Sequence, residues 1–161
     1  MEVSTSAHLP EDAERVYREY LSAVVLHGQA VAEAVGMHTT DAYALNVLGV
    51  HGALTAGELA ERTGLTTGAV TRLIDRLERA GAVRRVRDPG DRRRVIIEAV
   101  PREDDPTEKL VAPARRRVAE VFEGYDEEQV RVLFDYFAKA AAALREATEE
   151  MRGTTRRRRT S

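Results

Sequence analysis

Between Thr55 and Val100 the chain carries ten arginines against seven acids, and six of those arginines fall between Arg84 and Arg94, where only two acids oppose them. An arginine head is a flat, forked, permanently charged group that matches phosphate oxygens and the guanine edge. Around it the stretch supplies the hydroxyls of Thr66, Thr67 and Thr71, the bare backbone of Gly68, and Arg72. Small polar groups with one forked cation suit phosphates and base edges in the major groove of duplex DNA. Arg92, Arg93 and Arg94 follow the turn-forming Asp88-Pro89-Gly90-Asp91. An arginine at the tip of a hairpin is the residue type that enters a narrow, electronegative minor groove. Asp75 fits this set poorly, because a carboxylate facing phosphates is repelled unless a cation neutralises it.

These residues need elements to hold them. Thr55 and Glu58 have the spacing of a capping box that opens a short helix with Leu59 and Ala60 inward. Gly64 stands where a left-handed helix end needs a residue without Cβ. Thr66 or Thr67 caps a second helix, in which Val70, Leu73, Ile74 and Leu77 recur at i, i+3, i+4 and i+7, and Gly81 ends it. Ala60, Gly64 and Val70 suit a close crossing of the two helices, a helix-turn-helix. The face opposite Val70 and Leu77 then carries Gly68, Thr71, Arg72, Asp75 and Arg79. Residues 82–87 and 94–100 are strand candidates flanking the turn, so that a hairpin, or wing, directly follows the second helix. On this reading Thr66, Thr67, Gly68, Thr71, Arg72, Arg92 and Arg94 contact DNA, with Arg92 in the minor groove. Arg93 is assigned to a salt bridge with Asp75 that fixes wing to helix.

The run TAGELAERTGLTTGAVTRLIDRLERAGAVRRVRDPGDRRR resembles the winged helix-turn-helix of the MarR family of bacterial transcription regulators, with the D-x-x-D-R-R wing as Asp88, Asp91, Arg92 and Arg93. The family often closes its second wing strand with Leu-Thr, where this chain has Glu98-Ala99-Val100-Pro101. The resemblance implies an obligate homodimer on a pseudo-palindromic DNA operator, usually repression, and often release by a small-molecule effector. It also implies terminal helices that interlock across a two-fold axis and set the two reading helices about one DNA turn apart.

The remaining chain reads accordingly. Residues 1–10 are a flexible N-terminus. A helix over 11–35 places Val16, Tyr20, Val24, His27 and Val31 on one face and ends at Gly36; Thr39 or Thr40 caps a short core helix to about His51. After the acidic 101–106 loop, Pro106 opens a helix towards Phe122 in which Pro113 is expected to kink or restart the chain. Gly124-Tyr125 is a turn. Asp126 with Gln129 is a second capping box, and it opens a helix to about Arg152 with Val130, Leu133, Phe134, Phe137, Ala141 and Leu144 inward. The expected fold is mainly α with a small β wing: a winged helix-turn-helix domain over 36–105, dimerisation helices over 11–35 and 107–152, and a disordered basic tail over 153–161. A winged unit of this size cannot bury the apolar faces of all the flanking helices, so a second copy is expected to cover them.

Composition sets the limits. A net charge of −2 looks wrong for a DNA binder, but residues 1–54 carry −5 and residues 55–100 carry +3, which places a basic edge on an acidic body. Arginine supplies 23 of the 25 basic residues even far from the wing, so its abundance alone carries little weight. Arg115, Arg116 and Arg117 read as a solvated face, and Arg156 to Arg159 as a source of non-specific phosphate affinity or an inert tail. The chain has no cysteine, which removes disulfides and thiolate metal sites. His38, Asp41 and His51 bracket the second helix and are candidates for an effector pocket; their spacing fits no metal motif, and no metal or cofactor is expected. No phosphate loop or nucleophile elbow suggests an enzyme. No membrane span or signal pattern is expected, which points to a cytoplasmic protein. Two other readings stay open: a sequence-tolerant architectural DNA binder, and a winged-helix protein-interaction module.

Overall fold

The structure is a computed structural model that describes residues 10–101 and 106–158. Its elements run α1 (Ala13–Ala34), α2 (Thr39–His51), β1 (Leu54–Thr55), α3 (Ala56–Thr63), α4 (Thr67–Arg79), β2 (Val83–Arg87), β3 (Val95–Ala99), α5 (Pro106–Phe122) and α6 (Glu127–Arg158). The chain divides into two units, residues 1–111 and 112–161. Mainly helical and completed by a small antiparallel sheet, it has the fold class expected.

In the first unit the local signals act as read. The Thr55 hydroxyl accepts from the Glu58 amide while Glu58 accepts from the Thr55 amide, closing the capping box on α3. Gly64 ends α3 at φ +71, and Gly81 stands after α4 at φ +69. Thr66 is the residue that caps α4, through the Ala69 amide at 3.3 Å. The apolar stripe Val70, Leu73, Ile74 and Leu77 is buried and packs with Ala44, Val47 and Leu48 of α2, Leu59 of α3, and the sheet residues Leu54, Val83 and Ile97. Burying each large side chain of this kind contributes about 1.5–3 kcal/mol. One core therefore fixes the pose of α4.

The sheet has one strand more than expected. Leu54 and Thr55 pair antiparallel with Ile97 and Ile96, and the strand order is β1-β3-β2. A two-residue strand is too short to announce itself by alternation; it exists because β3 offers it a free edge. α2 also starts differently: His38 occupies its N-cap with no side-chain cap, so neither Thr39 nor Thr40 serves as one.

The second unit contains the C-terminal part of α5 and α6. Asp126 and Gln129 exchange side-chain and backbone hydrogen bonds at 2.8 and 2.9 Å, the expected capping box. The rings of Phe122 and Phe134 stack at 5.7 Å, and Phe134 meets Phe137 edge-on at 6.0 Å. Two expectations change here. α5 runs through Pro113 without a break. α6 continues to Arg158, past the expected boundary at Arg152. A polar tail cannot nucleate a helix alone, but extending one already formed adds a hydrogen bond per residue. The expected flexible N-terminus (residues 1–9), residues 102–105 of the acidic loop, and the end of the basic tail (159–161) lie outside the described residues.

Candidate nucleic-acid interface

The candidate surface begins with α4. Its buried stripe forces the opposite face outward, and Thr66, Thr67, Gly68, Thr71 and Arg72 are all exposed. The Thr71 hydroxyl donates to the Thr67 carbonyl at 3.0 Å, which leaves its oxygen lone pairs pointing away from the helix as acceptors. Arg72 has no hydrogen bond or ion pair in the described structure. A Cβ added at Gly68 would lie 3.8 Å from its Nη1, an ordinary contact, so the guanidinium rests over the start of the helix beside Gly68. Thr66 accepts the cap hydrogen bond on its hydroxyl oxygen, which leaves its O–H free to donate to a phosphate.

The wing follows from β2 and β3. Asp88 accepts from the Gly90 amide at 2.8 Å and Asp91 from the Arg93 amide at 3.0 Å, so both aspartates shape the turn. Arg92 projects from that turn, exposed and without an ion pair among the described residues.

Which arginines the protein itself engages is decided by carboxylates, and here the structure corrects the sequence reading. Asp75 is paired with Arg85 of β2, Nη2 to Oδ1 at 2.5 Å, and Arg85 also pairs with Glu78. Arg93 instead turns back on Asp91 within its own loop, 3.4 Å away. The Asp75 partner is therefore Arg85, not Arg93. A strand beside α4 brings its side chain to the helix with little loss of rotamer freedom, whereas a turn residue has a nearer acid to satisfy it. The hydrogen bond it donates to Asp75, with the charges of Glu78 and Asp75 behind it, holds the Arg85 guanidinium above its already high ordinary pKa. Asp75 and Glu78, spaced i, i+3 on one helix face, were the signal for such a shared cation.

Arg94 is likewise engaged within the fold. Its Nη2 lies 3.3 Å from Glu58 and its Nε 4.0 Å from Asp88, tying the wing to the start of α3. Hydrogen bonds from Thr55, assisted by the charge of Arg94, hold the Glu58 carboxyl below the usual value near 4.5. Arg84 pairs with Glu98 directly across the β2–β3 ladder at 2.9 Å. Arg87, at the outer end of β2, is exposed and carries no ion pair among the described residues, so it joins Arg72 and Arg92 as an arginine available to phosphate. Sequence reasoning overlooked it because its charge is one of three in VRRVR, and only the pairing of its neighbours sets it apart.

The expected effector pocket is not one site. His38 and His51 stand at opposite ends of the thirteen-residue α2, about 20 Å apart along its axis at 1.5 Å per residue. His51 Nε2 contacts Arg62 Nη1 at 3.3 Å. Asp41, 4% exposed, is held by Arg76 of α4 through two hydrogen bonds, Nε to Oδ2 at 2.9 Å and Nη2 to Oδ1 at 2.6 Å. That contact raises the Arg76 pKa further above its ordinary value. Among the described residues no three His, Cys, Asp or Glu side chains group as a metal site, and no helix is long and apolar enough to cross a membrane.

Comparison with known proteins agrees with this geometry. A MarR family model matches residues 35–94, which span α2 to the wing. The HTH-type transcriptional regulator YcgE of Bacillus subtilis is 36% identical over 149 residues, 92% of this chain and 97% of that protein. A MarR family protein from Bacillus stearothermophilus superposes with a TM-score of 0.63 at 26% identity, over 83% of this chain and 93% of its own. A MarR-like transcriptional regulator from Thermotoga maritima gives 0.57 at 26%, over 84% and 98%. YcgE and the Thermotoga maritima protein are both described as transcriptional regulators. The chain belongs to the MarR family of winged-helix, DNA-binding transcriptional regulators.

Proposed function

We propose that two copies of this chain bind one pseudo-palindromic operator and repress transcription by occupying it. The observation that carries this reading is the apolar surface outside the winged unit. Val24 and Val25 on α1 are 51% and 58% exposed, and Phe134 and Leu144 on α6 are 56% and 57% exposed. Apolar side chains of that size and number are costly to leave in water, and a second copy is the economical cover. A two-fold pair would present two α4 helices to successive major grooves, with Thr67, Gly68, Thr71 and Arg72 at the base edges. Arg92 would enter the adjacent minor groove and Arg87 would meet phosphate. A small ligand that changes the spacing of the two winged units would release the DNA, because both helices must enter together. The regulator would act in the cytoplasm, where its DNA is.

Sedimentation of the protein with a duplex carrying two half-sites, and with one carrying a single half-site, tests this reading. Two chains per intact operator, and a large loss of affinity with the single half-site, are expected. A single chain bound with equal affinity to both would contradict it.

A further inference from the structure

Asp41 is the one charged residue buried among those described, and it is buried against the reading helix. Arg76, its partner, follows Arg72 by one helical turn on α4 and is the boundary between the exposed face and the buried stripe. Both oxygens of Asp41 are engaged by two different nitrogens of one guanidinium, so the contact fixes rotation as well as separation. The apolar contacts of Val70, Leu73, Ile74 and Leu77 hold α4 down but are not directional in this way. Asp41 itself is anchored, since it lies in the first turn of α2, where the helix dipole favours a carboxylate. α2 also packs against α1, so the pair is a polar joint between the reading helix and the helix that carries exposed apolar side chains such as Val24 and Val25.

Asp41 is buried while Arg76 is partly exposed, with 6% and 38% of their side chains open to solvent. Such a pair contributes little to stability alone, because desolvating the carboxylate offsets much of the attraction and well-packed apolar residues of similar volume can serve as well. What the fork supplies is a unique orientation. Hydrogen bonding to base edges is sensitive to displacements of well under a helical turn, whereas attraction to phosphate is not.

We propose that Asp41 and Arg76 form a positioning pair that sets the rotation of α4 on α2, and with it the discrimination between DNA sequences. The inference rests on operator reading by α4. Arg76 acts through the helix and not by touching a base.

The test is the double substitution D41L/R76M, which leaves the net charge unchanged and strands no buried ion. Its thermal midpoint is measured beside its affinities for the duplex selected by the wild-type protein and for a scrambled duplex of equal length. The expected result is a folded protein of near wild-type stability, scrambled-duplex affinity unchanged, and preference for the selected duplex reduced about tenfold or more. A folded double variant with full preference would overturn the proposal. Should the double variant not fold, Arg76→Lys decides: it keeps the charge but has no fork. A several-fold loss of preference at unchanged scrambled-duplex affinity supports the pair's role, and undiminished preference overturns it. A wild-type chain without any preference would overturn operator reading itself and this inference with it.

Discussion

Arg85 of β2 donates to Asp75 of α4 at 2.5 Å, so the wing is tied to α4 at its base while Arg92 at its tip has no ion pair among the described residues. The same guanidinium pairs with Glu78, so one strand residue neutralises two carboxylates of α4. Removing it should do more harm to DNA binding than to folding. Arg85→Ala is expected to cost about 1 kcal/mol of stability, because the three partners are partly solvent-screened. Affinity for scrambled and selected duplexes should both fall as Asp75 and Glu78 regain their repulsion. Thermal unfolding and binding isotherms on the same preparation separate the two effects. An unchanged affinity would mean that Asp75 does not face the DNA.

Arg72 has no hydrogen-bond or ion-pair partner among the described residues, so its substitution should leave the protein's stability unchanged. Arg72→Ala is expected to weaken binding to the selected duplex about tenfold or more and to relax preference at one base pair in each half-site. Selection from randomised duplexes with the variant reads this directly. Equal losses on selected and scrambled DNA would assign Arg72 to phosphate and not to a base.

Arg92→Ala should cost affinity mainly where the operator flanks are rich in A·T pairs, since a narrow minor groove concentrates the negative potential that attracts the guanidinium. Duplexes that differ only in their flanks measure it. Losses independent of flank sequence would count against groove insertion.

Much of this architecture could be read from the sequence, and the reasons are local. The Thr55–Glu58 box, Gly64, Gly81 and the Val70-Leu73-Ile74-Leu77 stripe each express a short-range rule, and each holds in the structure. Which acid meets which arginine is a long-range matter. Asp75 meets Arg85 and not Arg93, Glu58 meets Arg94 across 36 positions, and Asp41 meets Arg76 across 35. With ten arginines in 46 residues, composition offers too many equivalent partners, and only the packed strands and helices select among them. The strand at Leu54–Thr55 escaped for a similar reason: its cause is the edge of β3.

The Glu58 carboxyl predicts an acid response. Its folded pKa is lowered, chiefly by the Thr55 hydrogen bonds, so its contribution to stability is fully present above the ordinary value near 4.5 and is lost as pH falls through the lowered one. The thermal midpoint of the wild-type protein should therefore drop as pH is taken below that ordinary value. Thr55→Ala should lower stability by about 1 kcal/mol at neutral pH and flatten the acid-side fall. Parallel acid-side curves for the two proteins would show that Glu58 is not tuned by the capping box.

The central claim is that a pair of α4 helices reads a spaced, inverted sequence. Binding the purified protein to a genomic fragment library at about 0.15 M salt, then sequencing what is retained, tests it most directly. The account predicts an inverted repeat whose half-sites are centred about ten base pairs apart. Retained fragments with no shared motif, or no retained DNA at all, would contradict it.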